Sequence, residues 1–136
     1  MPAGYSGTPL IRKLGIKPGF SIRVISEPAT YWDWISPLPE EIKVINRAKK
    51  EGADFIHLFV KEKKKFEKEF LKFKIELKKD GMLWVSWPKK SSKVESDLDE
   101  NIIRSYGLAN GLVDVKVCAV DEVWSGLKFV YRLKSR

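Results

Sequence analysis

A chain of 136 residues with a 43% apolar fraction is long enough to bury a core as one domain, and too apolar to remain disordered. The formal charge of +8 is concentrated, since nine lysines against four glutamates between residues 61 and 79 supply +5 of it. No basic stretch leads into an apolar one at the amino terminus, and no apolar run approaches the roughly 20 residues of a membrane span, which argues against export and membrane contact.

The sequence is read as a single domain over residues 1–136, with residues 1–7 flexible and a cytoplasmic location. Leu10, Ile11 and Leu14 recur at helical spacing before Gly15, which predicts a short first helix over residues 8–15. The β-branched run Phe20 to Ser26 predicts a first strand that stops before Pro28. Tyr31, Trp32 and Trp34 fall in a brief helix that Pro37 and Pro39 close.

A second, short strand is expected over residues 41–45, and a third over residues 53–60 is almost wholly apolar, as in a parallel strand covered on both faces. The short link between them leaves no room for a helix, which makes the second strand a stunted edge. Phe66, Phe70, Phe73 and Leu77 then form one apolar stripe on a long helix. Its other faces carry the lysines, with Lys63/Glu67, Lys65/Glu69 and Lys72/Glu76 spaced as i,i+4 pairs. Few arginines accompany them, so a solvated helix face is favoured over a nucleic-acid surface.

Asp80-Gly81 is read as the end of that helix, and Met82 to Trp87 as a fourth strand halted by Pro88. After the polar segment Lys89 to Lys93, Asp97 with Glu100 resembles a capping box opening a last helix that runs toward Asn110-Gly111. Two final strands, residues 113–120 and 127–133, form a terminal hairpin about residues 121–126. The result is a three-layer α/β fold: a mostly parallel sheet, helices on both faces and a C-terminal antiparallel hairpin.

This order of elements is similar to the later half of Rossmann-like methyltransferases. Leu83-Trp84-Val85-Ser86-Trp87-Pro88-Lys89-Lys90-Ser91-Ser92 and the run from Gly111 to Val130, with its Val117-Cys118-Ala119-Val120-Asp121-Glu122-Val123-Trp124-Ser125-Gly126-Leu127 core, resemble a bacterial domain-of-unknown-function family of small proteins. Leu14-Gly15-Ile16-Lys17-Pro18-Gly19 fits the same pattern. No reaction comes with that resemblance.

Ligands of open α/β sheets bind beyond the carboxyl ends of the strands, which directs attention to the loops beginning at Ser26, Lys61 and Pro88. Ser26-Glu27-Pro28-Ala29-Thr30 contains no glycine, whereas cofactor-binding turns after a first strand need bare backbone. Lys89, Lys90, Ser91 and Ser92 combine ammonium and hydroxyl groups suited to an anion, and Pro88 should lift both lysines clear of the core. Asp121, Glu122, Trp124 and Ser125 crowd the hairpin connection, where they either cap a turn or serve a ligand. Trp84, Trp87 and Trp124 are expected near one another, either as core or as a stacking surface.

His57 reads as a hydrogen-bonded core residue and Cys118 as a buried structural thiol. They are not expected to share a cleft as a nucleophile and base, and no metal cluster can be assembled around one histidine. The favoured reading is a non-catalytic binding or regulatory module for a small anionic ligand or a protein partner, without a cofactor. The alternative is a reduced S-adenosylmethionine-dependent methyltransferase-like enzyme.

Overall fold

The computed structural model describes residues 8–136, so the expected flexibility of residues 1–7 lies outside the described part. The elements are α1 (Leu10–Leu14), β1 (Ser21–Ile25), α2 (Tyr31–Trp34), β2 (Lys43–Val44), β3 (Ala53–Phe59) and α3 (Lys63–Glu76). They continue with β4 (Leu77–Pro88), a 3-10 turn (Lys90–Ser92), α4 (Glu100–Ala109), β5 (Leu112–Ala119) and β6 (Trp124–Tyr131), before a last 3-10 turn (Leu133–Ser135). Strand order is β2-β1-β3-β4-β6-β5. The strands β2, β1, β3 and β4 pair in parallel, and β6 runs antiparallel to both β4 and β5. This is the α/β sheet expected, with the hairpin folded back so that its second strand joins the parallel part.

Two apolar layers follow from the strand period of two. On one face, Ile56, Leu58, Leu83, Val85, Leu127 and Phe129 meet Phe66, Phe70 and Phe73 of α3 and Ile103 of α4. On the other, Ile22, Phe55, Phe59 and Trp84 meet Leu14 and Tyr31, from α1 and α2. The phenylalanine stripe is therefore core, and α3 turns its lysines outward. Gly15 closes α1 with φ 84°, a left-handed value that bare backbone adopts readily. Among the described residues no helix is long and apolar enough to cross a membrane.

Four local expectations are corrected. First, α3 ends at Glu76, not at Asp80-Gly81, and β4 begins at Leu77. From the pair Ala53↔Leu77 to the pair Phe55↔Met82, β3 advances two residues while β4 advances five, so Lys78 to Gly81 form a bulge. A Cβ on Gly81 would lie 2.8 Å from the Asp54 carbonyl oxygen, so the glycine permits that close approach instead of closing a helix.

Second, the cap of α4 is Asp99, whose side chain accepts from the Ile102 N–H at 2.8 Å. Asp97 instead takes the Lys63 N–H at 2.6 Å and so serves the start of α3. Third, Glu76 is held by Arg23 at 2.8 Å, and not by Lys72 as the spacing suggested. Fourth, β4 continues through Pro88, which faces Trp124 across the sheet.

Candidate functional site

The chain enters the sheet at β1, moves to β2 on one side and then to β3 on the other. The carboxyl ends of β1 and β3 therefore flank the point where the strand order reverses, which is where open α/β sheets place their ligands. A cavity of about 460 Å³ lies there, walled by Ser26, Pro28, Phe59, Val60 and Trp124, with Lys61, Glu62 and Lys65 at its rim. A second hollow of about 720 Å³ shares Ser26 and extends between the ends of β1 and β2, bordered by Val24, Glu27, Trp32, Asn46 and Arg47. Together they form one crevice along the carboxyl edge, with Ser26 at its centre.

The stunted β2 opens this crevice. The Ile45 N–H donates to the Ile22 carbonyl oxygen at 2.9 Å, so Ile22 turns its bonding groups toward β2, and Val24, two residues on, turns its own the same way. Pairing stops at Ile22↔Val44. Among the described residues, no backbone group pairs with Val24 on that side, leaving a donor and an acceptor at the crevice floor.

The loop after β1 departs from a glycine turn in three ways. Ser26 itself takes the left-handed conformation, φ 60°, that glycine adopts without strain. Glu27 reaches toward α2, where the Trp32 indole N–H donates to its carboxylate at 3.1 Å. Finally, α2 is a single turn of four residues, so no extended helix aims its amino terminus into the crevice.

Beneath the crevice lies a fully buried polar chain. Tyr31, His57 and Ser86 have no exposed surface, yet the Tyr31 hydroxyl is 2.9 Å from His57 Nδ1, and His57 Nε2 is 2.7 Å from Ser86 Oγ. The neutral imidazole offers one donor and one acceptor, and its two neighbours use both. Burial pushes the His57 imidazole down to about 3 and the Tyr31 phenol up. His57 also stacks on Phe59, a crevice wall, at 4.3 Å between ring centroids. It is a satisfied core histidine, as expected, and it ties α2 to β3 and β4.

The sequence-selected residues come together at the neighbouring strand ends. The Lys89 N–H donates to the Val123 carbonyl at 2.7 Å, and its ammonium donates to the Asp121 carbonyl at 2.8 Å. The Asp121 carboxylate accepts the N–H groups of Val123 and Trp124 at 2.9 and 2.7 Å. The Ser92 hydroxyl donates to the Lys89 carbonyl at 2.6 Å. Lys89 is thus half-buried and engaged, which corrects the expectation that Pro88 lifts both lysines into solvent. Lys90, Ser91 and Glu122 are exposed, and Ser125 is half-buried.

Of these eight residues only Trp124 lines the crevice, where its ring meets Phe59 edge-on at 5.0 Å. Lys89 and Asp121 hold the turn that presents it. The three tryptophans do not share one surface: Trp84 and Trp124 lie toward α1 and α2, whereas Trp87 belongs to the opposite layer. Trp84 is core, its indole N–H donating to the Leu14 carbonyl at 2.9 Å. Cys118 on β5 is half-buried, and burial pushes its thiol up; β4 and β6 separate its strand from that of His57. Asn46 and Arg47 were missed by the sequence reading. Asn46 stands 20 residues beyond Ser26, close to the spacing at which nucleotide-binding sheets place an acidic ribose ligand.

No family model and no curated protein matches the chain, so its motif resemblance to a bacterial family gains no support there. Solved structures do match. A S-adenosylmethionine-dependent methyltransferase from Aquifex aeolicus is 14% identical, with TM-score 0.59 over 88% of this chain and 86% of that one. Fibrillarin from Aeropyrum pernix, solved with natively bound S-adenosylmethionine, is 16% identical, with TM-score 0.57 over 86% of this chain and 69% of that one. The m1A22 tRNA methyltransferase of Bacillus subtilis is 9% identical, with TM-score 0.55 over 97% of this chain and 67% of that one.

At such identities the likeness establishes the fold alone. The chain has a Rossmann-like methyltransferase fold, and its match to the Aquifex structure extends well beyond the C-terminal half of that protein. S-adenosylmethionine is the group this fold implies. The crevice departs from the glycine turn such a cofactor site uses, and it ends in Asn46-Arg47 where an acid would hold ribose hydroxyls.

Proposed function

We propose that this chain is a ligand-binding domain on a methyltransferase fold, taking a small anionic molecule in the crevice along the ends of β1, β2 and β3. The observation that carries this reading is the crevice at the strand-order reversal combined with its altered first loop. Bulky residues Glu27, Pro28 and Trp32 occupy the region where a cofactor turn needs bare backbone. Arg47, Lys61 and Lys65 border the crevice, and among the described residues none of the three forms an ion pair. Lys89 and Asp121 support Trp124 as a wall of the site. In this reading Lys90, Ser91, Ser92, Glu122 and Ser125 lie at its margin, where a longer ligand would reach them.

A second reading, an S-adenosylmethionine-dependent methyltransferase, is favoured by the fold itself, because several matching structures are enzymes of that class. The likeness in fold speaks for it, and the loop chemistry speaks against it. A thermal-shift screen of anionic metabolites alongside S-adenosylmethionine tests both, since a ligand that binds only the folded state raises Tm. The binding-domain reading expects an anionic metabolite to stabilise the wild type, with the gain reduced in Arg47→Gln and Lys61→Gln. Stabilisation by S-adenosylmethionine alone overturns it in favour of the enzyme.

A further inference from the structure

On the sheet face covered by α1, Lys116 of β5 and Lys128 of β6 stand directly opposite each other in the antiparallel register. Directly opposed side chains have Cβ atoms only about 5 Å apart, and like charges placed so repel and destabilise the sheet. Lys128 is half-buried, and its ammonium lies 3.6 Å from the position a Cβ would take on Gly15, at the end of α1. Lys17, two residues beyond Gly15, adds a third ammonium. Burial first, then the charges of Lys116 and Lys17, pushes the Lys128 ammonium down. Among the described residues no carboxylate forms an ion pair with Lys13, Lys17, Lys116 or Lys128.

Such a cluster costs stability unless something negative completes it. The Lys116 ammonium donates to the Lys13 carbonyl at 3.0 Å, which serves one exposed carbonyl at the end of α1 and accounts for one lysine. It leaves the opposed Lys128 and the added Lys17 unexplained. Lys128 lies four residues along β6 from Trp124, about 13 Å at the rise of a strand, so this cluster is separate from the crevice.

We infer that Lys17, Lys116 and Lys128 form a site for a phosphate-class oxyanion, free or as a monoester. A tetrahedral dianion offers several acceptor oxygens to three ammonium groups and removes their mutual repulsion.

The test is a melting series of the full chain in inorganic phosphate, in glycerol phosphate, and in sodium chloride at matched ionic strength, which controls for simple screening. Wild type is expected to gain about 3 to 5 °C in phosphate over chloride. A similar gain in glycerol phosphate identifies a monoester site, and a gain in phosphate alone identifies the free ion. In chloride, Lys116→Gln and Lys128→Gln are each expected to melt above wild type, because repulsion is relieved, and to lose the phosphate increment. Lys68→Gln, on the exposed face of α3 and away from both the cluster and the crevice, is expected to keep it. A purely structural role for these lysines predicts the opposite sign, with both variants melting lower in chloride. That result, equal melting of wild type in phosphate and chloride, or an increment lost in Lys68→Gln and kept in Lys128→Gln, overturns the inference.

Discussion

Lys89 clamps the turn that begins at Asp121 in two places, its ammonium on the Asp121 carbonyl and its backbone N–H on the carbonyl of Val123 two residues later. Only the first contact depends on the side chain. Lys89→Ala should therefore cost about 1.5 to 3 kcal/mol, the usual range for a hydrogen bond made by a charged group. Lys90→Ala, at an exposed position, should change stability by no more than about 0.5 kcal/mol. Urea unfolding of the two variants checks this, and equal effects would place Lys89 in solvent.

Gly107 lies on the buried side of α4, where an added Cβ would come within 2.1 Å of the Phe129 ring. Alanine is the better helix former by up to about 1 kcal/mol, so propensity alone predicts a gain from Gly107→Ala. Overpacking of a buried ring costs about 1 to 3 kcal/mol and should win. The variant should unfold at lower denaturant than wild type, and Gly107→Ala combined with Phe129→Leu should recover part of the loss.

The acid stability of the protein should depend on His57. Its folded pKa, lowered by burial to about 3, lies below the ordinary 6.5, so the unfolded chain binds a proton that the folded chain refuses between those values. Stability contributed by the neutral ring is full above pH 6.5 and falls as the pH drops toward 3. Melting curves from pH 7 to pH 4 should decline more steeply for wild type than for His57→Gln. Parallel declines would show that the imidazole is free to charge in the folded state.

The two aspartates before α4 serve different helices. Asp97→Ala should speed amide exchange at Lys63, and Asp99→Ala should speed it at Ile102, each at a cost of about 1 kcal/mol. Hydrogen exchange resolves the two sites. Loss of protection at Glu100 in the Asp97 variant would restore the capping-box reading of the sequence.

Patterns confined to one element were legible in the sequence: the Phe66, Phe70 and Phe73 stripe, the left-handed Gly15, the apolar run of β3 and the hairpin order. Features set by a distant partner were not. Asp97 finds Lys63 across 34 positions, and Gly81 is required by the Asp54 carbonyl instead of by a helix end. Arg47 borders the crevice because β2 stops after two residues, which no local pattern announces. One missed feature was legible: Trp84 and Trp87 differ by three positions, an odd step that places them on opposite faces of any strand.

Whether the altered loop after β1 still admits the cofactor its fold implies is decided by a titration with S-adenosylmethionine, followed on the backbone amides of the labelled protein. With Glu27, Pro28 and Trp32 in place of bare backbone, and Asn46-Arg47 in place of an acid, no saturable shifts are expected at Val24, Ser26, Asn46 or Lys61 up to millimolar cofactor. Saturable shifts at those amides, fitting one site, would contradict the binding-domain reading and return the chain to the enzymes whose fold it shares.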